Sequence, residues 1–519
     1  MRTGPVKGSS EPTTNLRRSA VHGTVAVGGA QAIKFLTQLL SVVILARLLA
    51  PVDFGLFAML MPVAAFVMMV QDIGLSQAVV ASGDLTDEQV STMFWINAGL
   101  SMLLAVLFAV CAPLIAWFFG EPKLLAPALA LAATVLISGL ATQHFAWLSK
   151  SLRFGAVALI DVASTLLGFA AAVVVALVMP GIWALVASVL ASMTVGLIGA
   201  WSLARWRPGR PAPFAEVRDL LRLGAGLSTF TLTNFFARNL DNVMIGRWAG
   251  AVQLGFYDRA YKLLLFPLQQ INNPIGRVMV PVLAKLHDEP HRYRHAYSRT
   301  LRLMLLFTVP GVAFMLMFAK PLIVLLMGDR WAPAAAIFTW LAIAALHQPM
   351  SATFGWLFIS QKRGGDFGRW GVFNMVTSIG AFAIGLPWGA IGVAAAYALS
   401  DLLIRMPVLW WWVGRTGPVR HRDLLEIVKP FAFALAGTLA ALYLYRNMSG
   451  AVHLPEIVLG GFLAFGCFWT LLATCVGGRE SLAEAARLLG ARLGRFRKGD
   501  GMSRRGDGRS GSVARATVD

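Results

Sequence analysis

Residues 31–62 read QAIKFLTQLLSVVILARLLAPVDFGLFAMLMP, and residues 231–262 read TLTNFFARNLDNVMIGRWAGAVQLGFYDRAYK. A shift of 200 places Arg47 on Arg247, Val52 on Val252, Gly55 on Gly255 and Phe57 on Tyr257. On a helix, Gln31, Lys34, Gln38 and Ser41 fall within an arc of about 80°, and Thr231, Asn234, Arg238 and Asp241 do the same in the second copy. The remainder of each helix is apolar, so two related segments each turn a polar stripe toward something other than lipid.

Working outward from this pair, the 519-residue chain is 57% hydrophobic and only 13% charged, with a mean hydropathy of +0.68. That balance excludes a soluble globular protein. Apolar runs of about 20 residues recur, the length a helix needs to cross the hydrocarbon core, and helices satisfy their own backbone hydrogen bonds there. The expected fold is an all-α polytopic membrane protein of about 14 transmembrane helices: two six-helix bundles related as a parallel repeat, plus two C-terminal helices.

The net charge of +20 does not point to nucleic acid. Roughly 33 of the Lys and Arg residues fall at the chain ends and in the even-numbered loops, against about six in the odd-numbered ones. This predicts cytoplasmic termini and contact with anionic membrane lipids. Cys111, Cys467 and Cys475 lie in apolar runs and form no disulfide framework. The basic leader has no short apolar core or cleavage site after it, so no cleaved signal peptide is expected.

The domain plan is a basic leader (1–23), an N-lobe (24–204), a basic linker (205–219), a C-lobe (220–425), two additional spans (426–478) and a basic tail (479–519). The linker, RWRPGRPAPFAEVRD, reads as a hinge from its Pro and Arg content. Pro180-Gly181 before an Ala-rich span recurs as Pro387-Trp388-Gly389, which extends the repeat beyond the opening stretch. Ser481–Arg497 reads as an amphipathic helix on the inner leaflet, and the Gly, Ser and Arg content beyond it argues for disorder.

An ionised group inside the bilayer is costly and faces a cavity or a partner. Lys34 and Arg238 are the deepest cations, and Asp241 lies one turn from Arg238. The alternative for both is an ion pair between packed helices. Arg259, Lys262, Gln269, Gln270, Asn273 and Arg277 share an arc of about 100°, with snorkelling to headgroups as the alternative for the three cations. Candidate substrate-binding residues are therefore Gln31, Lys34, Gln38, Asn234, Arg238, Asp241, Arg259, Lys262, Gln269, Gln270, Asn273 and Arg277. Asp72, Asp161, Asp241 and Asp258 are candidates for coupling to a proton or sodium ion; Asp72 equally suits a cap, and Asp161 a neighbouring helix end. His287, His291 and His295 read as a solvated loop because Pro290 interrupts them. No phosphate loop motif is present, and no extramembrane loop offers a catalytic set, so neither a cofactor nor an enzymatic activity is expected.

ARLLAPVDFGLFAML (Ala46–Leu60), NLDNVMIGRWAGAVQLGFYDRAYKL (Asn239–Leu263), and Pro281, Gly328 and Trp331 in VMVPVLAKL and LLMGDRWAPA resemble the polysaccharide transporter family. This family includes the Wzx-type flippases of the multidrug/oligosaccharidyl-lipid/polysaccharide exporter superfamily, and the resemblance covers about residues 20–475. It implies a V-shaped pair of bundles opening alternately to each side of the bacterial inner membrane. The implied substrate is an undecaprenyl-diphosphate-linked oligosaccharide, with membrane lipids as partners and a polysaccharide polymerase and glycosyltransferases left open. Lipid II flippases in the superfamily use cavity cations, a role for which Lys34, Arg238, Arg259 and Lys262 are candidates. An ion-coupled drug or metabolite antiporter of the same superfamily and a non-transporting lipid-sugar-binding scaffold are the alternative functions.

Overall fold

The computed structural model describes residues 13–72, 86–449 and 453–487, with the side chains of 13–27, 214–234 and 236–238 outside that description. The side chains of Asn234 and Arg238, and the chain before 13 and beyond 487, therefore lie outside the described residues. No strand occurs among the described residues. Ten stretches among them are long and apolar enough to cross a membrane, which makes the chain a multi-pass membrane protein.

The helices are α1 (Thr13–Leu48), α2 (Pro51–Asp72), α3 (Asp87–Phe119), α4 (Leu125–Lys150), α5 (Phe154–Val178), α6 (Ile182–Ala204), α7 (Phe214–Lys285) and α8 (Pro290–Met317). They continue as α9 (Ala319–Met327), α10 (Ala334–Ala345), α11 (Gln348–Ser360), α12 (Gly364–Gly385), α13 (Gly389–Ser400), α14 (Met406–Arg415), α15 (His421–Met448) and α16 (Leu454–Thr474). A last helix, α17, covers residues 476–487.

Local chemistry sets many of these ends. Thr86 and Gln89 exchange side-chain and backbone hydrogen bonds at the start of α3, and Gly120 ends it with φ 69°. Pro51 and Pro290 occupy first helical positions, where a missing N–H costs nothing. Three stretches of the C-terminal half are interrupted. The 300–327 stretch breaks at Phe318. The 333–360 stretch breaks at His347, just before Pro349. A π-helical turn, Asp401–Arg405, separates α13 from α14.

The chain divides into two compact units, one made of residues through Pro267 with Phe318–Ala344 and Gly364–Pro407, the other of Leu268–Met317, Ala345–Arg363 and the chain from Val408. In the first unit α5 packs on α1 and α6, α4 on α3 and α6, and α12 on α13. The α5–α6 seam is built from small groups: a Cβ at Gly168 would sit 2.9 Å from the Ser188 carbonyl oxygen, and Ala172, Ala176 and Ala200 are buried. Small residues let helices approach closely where lipid supplies no hydrophobic driving force.

The duplicated stretch crosses itself in this unit. A Cβ on Gly55 would lie 1.7 Å from the Ala251 carbonyl oxygen, and one on Gly255 would lie 1.9 Å from that of Pro51. Residues 51 and 251 correspond, as do 55 and 255, so each copy presses its glycine on the same backbone position of the other. Gly250, with φ 85° and ψ 171°, breaks α7 where Ala50 separates α1 from α2. The α9–α10 connection locks this crossing: Trp331 Nε1 donates to Ala46 O at 2.8 Å, Arg330 to Arg47 O at 3.0 Å, and Arg47 to Leu325 O at 2.6 Å. Phe54 and Phe256 meet Trp331 edge-on.

The linker segment between α6 and α7 is hydrogen-bonded to the start of α3. Gly209 N donates to Ser91 Oγ at 2.9 Å, Ala212 N to Thr92 Oγ1 at 2.6 Å, and Trp95 Nε1 to Gly209 O at 3.1 Å. Trp206 is buried against Phe94 and Val90.

In the second unit α8 packs against α11, α15 and α16. Tyr293 and Tyr297 are buried, with hydroxyls 2.6 Å from Ser360 Oγ and 2.8 Å from Thr353 Oγ1. The described part of the expected amphipathic tail is α17, tied to α8 by Arg299–Glu484 and by Arg302–Glu480 at 3.4 Å.

Candidate functional site

Two charge clusters stand on the helices of the first unit. On α1, Lys34 Nζ lies 2.9 Å from Asp161 Oδ2 of α5, with the side chains 29% and 47% exposed. Lys34 lies well inside α1, and Asp161 follows the start of α5 by seven residues. At 1.5 Å per residue Asp161 sits about 10 Å inside α5, and Lys34 meets it at that level. Two residues assigned to separate roles, substrate binding and ion coupling, thus form one pair. Gln31 and Gln38 of the same stripe are exposed, while Thr37 turns inward and bonds the Ile33 carbonyl.

The second cluster is organised by one carboxylate on α7. Asp258 is only 4% exposed and accepts from Arg259 Nε and Nη2 at 3.0 and 2.7 Å. Its other oxygen accepts from Lys262 Nζ at 2.8 Å, one helical turn on. Arg259 is 11% exposed and its guanidinium stands 4.4 Å from the Phe54 ring centroid. Lys262 is 47% exposed. One carboxylate between two cations leaves a formal charge of +1, and Lys262 presents it outward.

Asp241 is buried and accepts from Tyr257 Oη at 2.9 Å and from Asn242 N at 2.8 Å. The two clusters are linked through packing: Phe35, next to Lys34, stacks on Phe266, one turn beyond Lys262, at 4.8 Å. Asp72 closes α2.

The remaining candidates, Gln269, Gln270, Asn273 and Arg277, belong to the second unit. Gln269, Asn273 and Arg277 are exposed and Gln270 is half-buried.

Two polar groupings escaped the sequence reading. Arg405, 2% exposed in the π-helical turn, donates to Ser378 Oγ and Tyr397 O at 2.9 Å, pairs with Asp401 at 3.3 Å and stacks on Tyr397 at 4.2 Å. Its signal was present: Asp401 and Arg405 form an i, i+4 pair within an apolar run. The other is a buried layer of Asn97, Gln143 and His144 in α3 and α4. Asn97 donates to Gly139 O at 3.1 Å, and His144 stacks on Trp201 at 4.4 Å. Arg207 stacks on Trp201, the ring partner of His144, at 5.4 Å, and the layer suits a packed helical interface.

The family described as polysaccharide biosynthesis protein matches residues 44–336. The chain is similar to the lipopolysaccharide biosynthesis protein WzxC of Escherichia coli strain K12, 25% identical over 394 residues, covering 75% of this chain and 80% of that protein. It is similar to the teichuronic acid biosynthesis protein TuaB of Bacillus subtilis strain 168, 28% identical over 343 residues, covering 65% of this chain and 71% of that one. Among solved structures, lipid II flippase MurJ in an inward closed conformation has the same fold, with a TM-score of 0.71 at 15% identity over 87% of this chain and 99% of the other.

Proposed function

This chain belongs to the polysaccharide biosynthesis protein family, and on that premise we propose that it is a flippase for undecaprenyl-diphosphate-linked oligosaccharides. It carries the headgroup from the inner to the outer leaflet by alternating access, for exopolysaccharide, capsule or O-antigen export, while the polyprenyl tail stays in lipid. Lys34 and Lys262 carry the proposal: both are partly exposed ammonium groups in the helices of a membrane protein, Lys34 within a long apolar span. In so poorly solvated a place an ammonium attracts a diphosphate far more strongly than in bulk water. Exposed Gln31 and Gln38 on α1 offer hydrogen bonds to sugar hydroxyls, as do Gln269 and Asn273 in the second unit.

A cation-exporting antiporter on this fold needs an excess of carboxylate at its site. Here the Lys34–Asp161 pair is neutral and the Asp258 cluster is formally +1, which favours an anionic substrate. The test is a proteoliposome assay with defined lipid-linked oligosaccharides, with and without a proton or sodium gradient. Protein-dependent appearance of the sugar on the far leaflet is the expected result. Failure with every matching substrate, in every gradient, overturns the proposal.

A further inference from the structure

A flippase working among bulk phospholipids faces a problem of discrimination, because each anionic phospholipid also presents a phosphate to any exposed ammonium. Lys34 does not meet the membrane as a bare cation. Its Nζ is already held at 2.9 Å by Asp161, and both side chains remain partly exposed. An incoming phosphate must displace a carboxylate that carries one full negative charge. We infer that Asp161 is a specificity-determining positioning residue, which masks Lys34 against singly charged lipid phosphates and yields it to a doubly charged diphosphate. The inference rests on the flippase proposal and names how that same site chooses its ligand.

The physical basis is a difference of affinities. A phosphodiester with one charge exchanges one anionic partner of Lys34 for another and gains little. A diphosphate diester brings two charges and more acceptor oxygens, so it gains from the same exchange. Removing the carboxylate therefore helps the weak competitor most. The Asp258 cluster follows the same logic: Arg259 is consumed by its carboxylate and by Phe54, leaving a single net charge at Lys262. The substituted pair sits where one side chain is 47% exposed, so the helix–helix core is left intact by an isosteric change.

The experiment measures binding of two probes to the purified full chain: short-chain phosphatidylglycerol, with one negative charge, and a short-chain prenyl-diphospho-sugar, with two. Wild type is expected to prefer the diphosphate. Asp161→Asn is expected to tighten phosphatidylglycerol binding and to cut the preference about tenfold, a change of about 1.4 kcal/mol, while Asp161→Glu restores it. Lys34→Gln is expected to weaken diphosphate binding without any gain for phosphatidylglycerol. The exchanged pair Lys34→Asp/Asp161→Lys keeps one masked ammonium on the same two helices and is expected to retain the preference, which keeps the test decisive even if Asp161→Asn does not fold. An unchanged ratio in Asp161→Asn, or loss of the preference in the exchanged pair, overturns this inference alone. A wild-type chain that shows no preference and flips no lipid-linked sugar overturns the flippase proposal, and this inference with it.

Discussion

At the scale of single residues, the decisive group is Asp258. A carboxylate that is 4% exposed and hydrogen-bonded by two cations is tolerable because each charge satisfies another; removing it leaves the 11% exposed Arg259 uncompensated. Asp258→Asn is therefore expected to destabilise the folded protein by about 3 to 5 kcal/mol, read as a lowered thermal unfolding midpoint in detergent. Lys262→Gln, which leaves Asp258 and Arg259 paired, is expected to lower the midpoint far less while weakening diphosphate binding. If the two variants unfold alike, Asp258 is not the organising charge. Part of this was legible in the sequence, since Asp258 and Lys262 are one turn apart on one helix. The Lys34–Asp161 pair was not, because 127 positions separate its members and neither stripe identifies its neighbour. The Asp401–Arg405 pair was legible by its i, i+4 spacing, whereas the π-helical turn that holds it has no signature in a 3.6-residue period.

At the scale of elements, the repeat of residues 31–62 in 231–262 expresses a physical constraint on how two helical turns cross. A Cβ built on Gly55 or Gly255 would stand 1.7 or 1.9 Å from an opposing carbonyl oxygen, closer than any Cβ tolerates, and the matching positions 251 and 51 supply those carbonyls. Gly371 on α12, by contrast, has open space around it. Gly55→Ala and Gly255→Ala are each expected to force the backbones apart and lower the unfolding midpoint by several degrees, by the cost of overpacking, about 1 to 3 kcal/mol. Gly371→Ala is expected to be neutral or slightly stabilising, by up to about 1 kcal/mol, because Ala loses less backbone freedom than Gly in a helix. Equal behaviour of the three variants in a thermal scan would show that the crossing is looser than its geometry. The equivalence of the two glycines was visible in the sequence. Their contact was not, because a 200-residue shift says which positions correspond and nothing about whether they touch.

At the scale of the whole molecule, contacts within each unit sort the helix ends into two groups. In the first unit the end of α1 meets the α9–α10 connection, Gly55 meets Ala251, Gln253 bonds Ala390 N at 2.8 Å, and Arg247 stacks on Phe118. The opposite ends form the other group: the start of α3 holds Gly209 and Ala212, and Arg153 at the start of α5 donates to Leu203 O at 2.6 Å. In the second unit Arg363 reaches Thr416 O at 2.7 Å and Arg294 reaches Pro418 O at 2.9 Å, whereas Arg446 at the far end of α15 reaches Met317 O at 2.7 Å. Within the first unit, connections that the sequence numbers as odd meet one another, and so do even-numbered ones, as they must if each span crosses the membrane once. Even-numbered connections carry Lys150, Arg153, Arg205, Arg207 and Arg210 in the first unit and Lys362 and Arg363 in the second, so the positive-inside rule predicts for each unit separately that these ends face the cytoplasm. Single cysteines placed at exposed positions in a background lacking Cys111, Cys467 and Cys475 test this directly. Lys123→Cys and Trp388→Cys are expected to react with an impermeant maleimide in intact cells. Ser151→Cys and Arg415→Cys are expected to react only after permeabilisation. The reverse pattern would invert the orientation, placing Lys34 and Asp161, about 10 Å in from that face, on the side where a lipid-linked sugar leaves instead of the side where it enters.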